Sequence, residues 1–405
     1  MLRRRFSTKS GITTRSALAN VILISNAFIW YSLAFNTLKG LIDESAPAIW
    51  AVHFTGTILS AIVGAALSAK ARKKDTFLAI WIVFGMISSL ILVSANSTST
   101  LSVLVVSLLF GVSFGFGLPA SMGCFADCTS AENRATLGGL VLLVNGLGAF
   151  LLGLTAVNDI MLQALTLAIW RGSGLIFFLA ANARQQTVKK RRSVTFSNIL
   201  TQRAFVLYII PWTMFSLVNF LSVPVQSKIL NPDQVEFFVT IESALAGAFA
   251  IVGGFLSDIV GRKRIAMTGF IMLGLGYAIL GVYPERANLL GWYFYTLVDG
   301  VAWGVFYVIF ITTVWGDLSH DSPSDKYYAI GGLPFFISNF LRIIIGEYIA
   351  EIVPGYAIFS LTAFFLFLAV VPLTYAPETL PEKKIREREL KKYIEKAKKI
   401  KEKFD

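Results

Sequence analysis

The chain has 405 residues, 55% of them hydrophobic and 15% charged, with a mean hydropathy of +0.68. Charged residues make up roughly 25% of an average soluble domain, so this composition excludes an ordinary soluble globule and indicates a polytopic membrane protein. The formal net charge of +12 suits either a nucleic-acid binder or a topology signal, and the positions of the charges decide between the two.

Residues 1–16 carry five basic residues, with Ser and Thr and no acid. This composition fits a cytoplasmic tail or a mitochondrial presequence; the tail is preferred because the other loops on its side obey the same charge rule. Apolar runs of about 20 residues, the length that crosses a bilayer, follow near Ala17–Leu38, Ala46–Ala69, Phe77–Ala95, Leu101–Gly123, Ala135–Val157 and Met161–Ala183. A second set lies near Phe205–Val225, Phe237–Ser257, Ile265–Tyr283, Leu289–Val314, Tyr327–Ala350 and Tyr356–Tyr375. The expected fold is all-α, with twelve transmembrane helices in two bundles, residues 17–183 and 205–376. Residues 184–204 form a basic linker, and residues 377–405 a charged, helix-prone tail with Glu387–Lys391 and Glu395–Lys399 at supportive spacing.

With both termini on one side, that side holds 31 of the 36 Lys and Arg, the other side Lys39, Lys228 and Arg286, and the spans Arg171 and Arg342. The positive-inside rule makes the basic side cytoplasmic. The basicity is therefore a topology signal, and nucleic-acid binding is set aside. Cys124 and Cys128 stand one helical turn apart and read as small packing residues. His53 and His320 have no HExxH or Cys/His cluster beside them, so neither a metal site nor a cofactor is expected.

Two stretches organise the chain. Gly254-Phe-Leu-Ser-Asp258-Ile-Val-Gly261-Arg262-Lys263-Arg264 is an apolar run that stops at an acid, turns on a glycine and becomes basic. A degenerate copy stands 190 residues earlier, from Gly64 through Ser68 to Arg72, Lys73 and Lys74, with Ser for Asp and Ala71 for the second glycine. Gly111 and Gly115 match Gly300 and Gly304 at an offset of 189, and Asp127 matches Asp317 at 190. Gly138-Gly139 then matches Gly331-Gly332 at 193, which suggests that the second copy of that loop is three residues longer. Landmarks in order at one long spacing indicate a duplicated bundle. An Asp at the carboxyl end of a helix faces its own helix dipole, so Asp258 is better satisfied by another helix's amino terminus or by an Arg.

These residues resemble the major facilitator superfamily of transporters in its twelve-span, prokaryotic-type form. The G-x-x-x-D-x-x-G-R-K-R pattern between spans eight and nine, its degraded copy between spans two and three, and the basic linker carry the likeness. Asp127 and the acid-x-Arg turn Glu132-Asn133-Arg134 after span four belong to the same pattern, and Pro377-Glu378-Thr379 resembles the sugar-porter ending. Against particular branches, span five has no proline between its glycine pairs, and Ala183-Arg184-Gln185 follows span six.

The resemblance implies alternating access, with two bundles rocking about a midplane site. Asp258 is then expected to cap helix eleven near Tyr327–Gly331 and to pair with Arg262 while the cytoplasmic side is shut. Asp299, Arg342 and Glu347 are ionisable residues within spans, which makes them functional candidates. Asp299 and Arg342 are read as a substrate or proton-coupling pair, with a structural ion pair as the alternative. Arg171, on a helix peripheral in the family, is expected to snorkel or to mark a shifted boundary. Asn26, Asn36 and Asn219, the last between Pro211 and Pro224, either line a cavity or bridge helices. His53 is read as a helix-contact hydrogen-bonder.

The expected function is secondary transport of a small organic solute by a monomer in the plasma membrane, with protons as a candidate co-substrate. The rival reading is a non-transporting sensor that signals through its tail. An enzyme would want a nucleophile and base or metal ligands at the membrane edge, and the sequence offers none.

Overall fold

The structure is a computed structural model that describes residues 14–42, 46–71, 73–94, 99–154, 159–181, 194–285, 288–320, 322–380 and 390. Arg72, residues 184–193 of the linker and the tail pairs Glu387–Lys391 and Glu395–Lys399 lie outside the described residues. The helices are α1 (Thr14–Leu41), α2 (Pro47–Ser68), α3 (Lys74–Ile91), α4 (Thr100–Cys128), α5 (Arg134–Leu154) and α6 (Ile160–Ala181). The second set is α7 (Arg203–Ile229), α8 (Pro232–Val260), α9 (Arg262–Val282), α10 (Leu289–Leu318), α11 (Ser324–Ile352) and α12 (Gly355–Tyr375). Eleven of these are long and apolar enough to cross a membrane, and the remaining one, α5, is apolar over Arg134–Gly148.

Local chemistry sets the ends. Prolines open α2 and α8, where their missing N–H has no intrahelical partner to lose. Asn231 and Gln234 form a capping box at the start of α8. Gly261 joins α8 to α9 at φ +116°, a conformation that disfavours any side chain.

Packing displays the duplication directly. In the first half α2 packs on α4, α3 on α4 and α6, and α1 on α5 and α6. Adding six to each number gives α8 on α10, α9 on α10 and α12, and α7 on α11 and α12, all of which are in contact. The halves meet along α5 with α8 and along α2 with α11, two seams that the same operation exchanges. At the first seam Gly254 lies against the Ala135 carbonyl and Gly139 against that of Ala250, so the backbones approach closely.

The inter-repeat offsets acquire a physical reason. α4 has 29 residues and α10 has 30, and residues Tyr307–Thr313 of α10 form a π-helical stretch. A π-bulge accommodates one extra residue within a helix, so the offset rises from 189 at Gly304 to 190 at Asp317. The expected longer loop is corrected, because residues 129–133 and 319–323 are connections of equal length. Gly331-Gly332 instead stands nearly one helical turn further along α11 than Gly138-Gly139 does along α5.

Candidate functional site

The side carrying the motif is closed by two polar seams. At the first, Asp258 and Arg262 are both 0% exposed and pair at 2.9 Å. Asp258 accepts from the Thr136 N–H at 2.8 Å, the Thr136 hydroxyl at 2.6 Å and the Ala135 N–H at 3.3 Å. It therefore caps α5, which corrects the expectation of α11, because the two-fold arrangement places the end of α8 beside the start of α5. The anion sits where the α5 dipole and unpaired amides favour it. Arg262 also donates to Asp317 at 3.0 Å and to the carbonyl of Ala131 across the seam. Arg134 reaches back from the first half to Asp317 and is anchored to Thr129 at 3.0 Å. Glu378 covers the start of α9, accepting from the Arg262 N–H at 2.9 Å and the Lys263 N–H at 3.2 Å. Lys263 donates away from the seam to the Thr374 carbonyl at 2.6 Å, and Arg264 is exposed. Glu132 is half-buried in the intervening turn.

The second seam supplies its own acid. Ser68 donates to Asp325 at 2.8 Å, and Lys74 pairs with the same carboxylate at 2.7 Å and with Asp127 at 3.8 Å. Asp325 is the second residue of α11, a favourable place for an anion. Gly123 leaves room for its carboxylate, since a Cβ there would strike Asp325. Lys73 is exposed, and Lys74 performs the pairing. The sequence reading missed Asp325, whose signal was an acid in the first turn of a helix on a basic side.

Between the bundles and these seams lies a cavity of about 330 Å³, bounded by α1, α2, α4 and α5 on one side and α7, α10 and α11 on the other. Of its 23 lining side chains 11 are aromatic and none is charged, so the wall is apolar with a few amides and hydroxyls. Asn36 lines it, as the cavity reading of that residue expects. Tyr31 stacks on Phe114 with centroids 3.7 Å apart. Its hydroxyl lies 3.0 Å from Nε2 of His53, whose Nδ1 donates to the Ser107 carbonyl at 2.9 Å. His53 thus bridges helices.

The remaining candidates separate. Asp299 accepts from Asn219 at 3.3 Å and from the Tyr295 hydroxyl at 2.9 Å. Tyr295 in turn lies 3.0 Å from the Tyr277 hydroxyl and accepts from Gln226 at 3.0 Å. This cluster is interior to the second bundle, and Asp299 does not line the cavity. Arg342 and Glu347 line a different space of about 470 Å³ on the side away from the motif, together with Lys39, Lys228 and Glu351. Arg342 donates to Asn339 at 3.1 Å. The expected Asp299–Arg342 pair is therefore corrected: the carboxyl's partners are an amide and a phenol.

Arg171 also departs from expectation. It is 0% exposed in the middle of α6, with its guanidinium 4.1 Å from the Trp81 ring and 5.5 Å from that of Trp30. It donates to Asn26 at 3.2 Å, and its Nε and Nη2 have no hydrogen-bond partner among the described residues. Two indole faces meet the cation in the interior of the bundle, so it does not snorkel.

Comparison with known proteins agrees with this geometry. A family model described as Major Facilitator Superfamily matches residues 193–403. No curated protein sequence matches the chain. Among solved structures, the human organic anion transporter MFSD10 (TETRAN) aligns with a TM-score of 0.68 at 13% identity, over 89% of this chain and 99% of that one. The proton:xylose symporter XylE, bound to 6-bromo-6-deoxy-D-glucose, aligns with a TM-score of 0.68 at 13% identity, over 92% and 97%. Likeness at this identity shows the fold, and the family model extends over more than half of the sequence. The chain belongs to the major facilitator superfamily, and is a multi-pass membrane transporter rather than an enzyme.

Proposed function

We propose that this protein carries a small organic solute through the central cavity by alternating access, with the motif side facing the cytoplasm of a plasma-membrane protein. The observation that carries this reading is a cavity walled by helices from both bundles and shut on one side by inter-bundle polar contacts. A pair of rigid bundles with breakable contacts on one face is the element that alternation requires. The excess of Lys and Arg on the motif side supports its cytoplasmic orientation.

Accessibility tests this. In proteoliposomes of a Cys124→Ser/Cys128→Ser protein carrying Asn36→Cys, an impermeant maleimide is expected to react from the side opposite the motif. Adding Asp258→Asn and Asp325→Asn is expected to raise labelling from the motif side. Labelling unaffected by the seam variants would refute alternation controlled at these seams.

Proton coupling rests on Asp299. Both of its oxygens meet neutral donors, so a proton can be added there without breaking an ion pair. Asn219 stands two turns from Trp212 on α7, and Trp212 lines the cavity, which gives the cluster a rigid connection to the site. If Asp299 carries the coupled proton, Asp299→Asn abolishes pH-gradient-driven accumulation while leaving solute exchange. Retention of pH-driven accumulation would remove that role.

A further inference from the structure

The side away from the motif is poor in Lys and Arg: of the chain's 36, the span assignment puts Lys39, Lys228 and Arg286 there. Two of these three line one space, the chamber of about 470 Å³, where Arg342 joins them. Lys39 and Lys228 stand 189 residues apart, each in the last turn of its helix, so the duplication sets one at the end of α1 and the other at the end of α7. A helix carboxyl end favours a cation, which accounts for each lysine taken alone. It does not account for Arg342, well inside α11, nor for the meeting of all three at one chamber. Both lysines are exposed and Arg342 is half-buried, so a solute that enters the chamber meets them.

The chamber keeps an excess of positive charge. Glu347 and Glu351, one turn apart on α11, line it too, and neither makes an ion pair among the described residues. Three cations against two carboxylates leave one positive charge over. The Lys228 ammonium donates to the Ala350 carbonyl at 3.0 Å and the Arg342 Nε to Asn339 at 3.1 Å, neutral contacts that orient both side chains and leave their charge in place. A guanidinium fork suits a carboxylate. Ile42, Trp50, Pro224 and Ile343 make an apolar part of the wall, on which a small hydrocarbon body can lie. The chamber also adjoins the central cavity. On α1 Asn36 lines the cavity and Lys39, one turn on, the chamber, and Asn339 and Arg342 divide in the same way on α11.

We infer that this chamber binds a small organic monoanion, with its carboxylate against Arg342, Lys39 and Lys228 and its apolar body against Trp50. This goes beyond the carriage reading, because binding at the mouth requires no passage. A cation of the same shape meets the excess positive charge, and a neutral analogue gains from the apolar wall alone. The central cavity has no charged lining side chain, so discrimination by charge locates the ligand in the chamber.

Benzoate, benzamide and benzylammonium share one ring and differ in charge, which makes them suitable probes. Their binding to purified protein at low ionic strength is read by equilibrium dialysis with radiolabelled compound. The expected result is saturable benzoate binding that weakens as salt is added, with benzamide and benzylammonium each at least about tenfold weaker. Arg342→Gln is expected to weaken benzoate by at least about tenfold, the worth of a charged hydrogen bond. Lys39→Gln and Lys228→Gln are expected to weaken it by about two- to fivefold, the worth of an exposed charge pair. Glu347→Gln is expected to tighten it by a similar factor, an effect that general damage to the fold would not produce. Absence of saturable binding overturns the inference, as does benzylammonium or benzamide binding as tightly as benzoate. Weaker benzoate binding in Glu347→Gln, or unchanged binding in all three cation variants, overturns the assignment to this chamber. The selectivity panel decides on the wild-type protein alone, should a variant fail to fold. Flux is read separately: benzoate that binds without entering proteoliposomes leaves the chamber assignment standing and removes benzoate as the carried solute.

Discussion

The two seams that close the motif side are related by the duplication and solve one electrostatic problem in opposite ways. At the α8–α5 seam the acid is Asp258, on the end of the arriving helix, and the partner helix offers bare amides at Ala135 and Thr136. At the α2–α11 seam the acid is Asp325, on the partner helix itself, and the arriving end offers the Ser68 hydroxyl. Each seam seats its buried carboxylate against a cation, Arg262 or Lys74, that is also bound to the repeat-related Asp317 or Asp127, and the first seam adds Arg134 on Asp317. The comparison teaches that both seams keep a buried carboxylate bonded to a cation, while the side that supplies the acid is free to change. A motif that looks broken in its own half is completed by the other half.

The largest expected effect comes from Asp325→Ala. It strips Ser68 and Lys74 of their shared acceptor, and breaking a buried pair costs about 3–5 kcal/mol. A marked fall in unfolding temperature is expected, with most of the loss recovered by combining Ser68→Asp with Asp325→Ser, which moves the acid to the side used by the other seam. An unrecovered double variant would break the comparison, by showing that the position of the acid matters in itself. Asp258→Asn should cost less, about 1–3 kcal/mol, because Arg262 keeps Asp317 and an amide oxygen still accepts from Thr136. The readout is increased maleimide labelling from the motif side, and a larger effect than that of Asp325→Ala would reverse the proposed ranking. Ser68→Ala should be the mildest, about 0.5–1.5 kcal/mol, since the Lys74–Asp325 pair survives it. A loss as large as that of Asp325→Ala would make the hydroxyl, not the ion pair, the main contact.

Much of the architecture was legible in the chain. Span length, the side on which Lys and Arg accumulate, and landmarks repeated at offsets near 190 gave the helices and their duplication, because each reflects a local cost of burying polar or charged groups. The offsets also recorded the extra residue of α10 before its π-helical stretch explained it. The sites were less legible. The sequence left Asn36 between lining a cavity and bridging helices, and it lines the cavity. Asp299 drew notice as a polar residue within a span, and Tyr295 stands one turn before it on α10, but its other partner Asn219 lies on α7 at a spacing that no pattern reports. Arg171 was misread because its two indoles come from α1 and α3.

The sequence by itself determined which segments enter the membrane, how many there are, and that the second half repeats the first, since hydropathy and spacing are properties of one segment at a time. Only the tertiary structure decided that Asp258 caps α5, that Asp325 completes the seam at Ser68, and that the cavity is aromatic and uncharged. These are relations between segments more than a hundred residues apart, and the two-fold packing of the bundles brings them together.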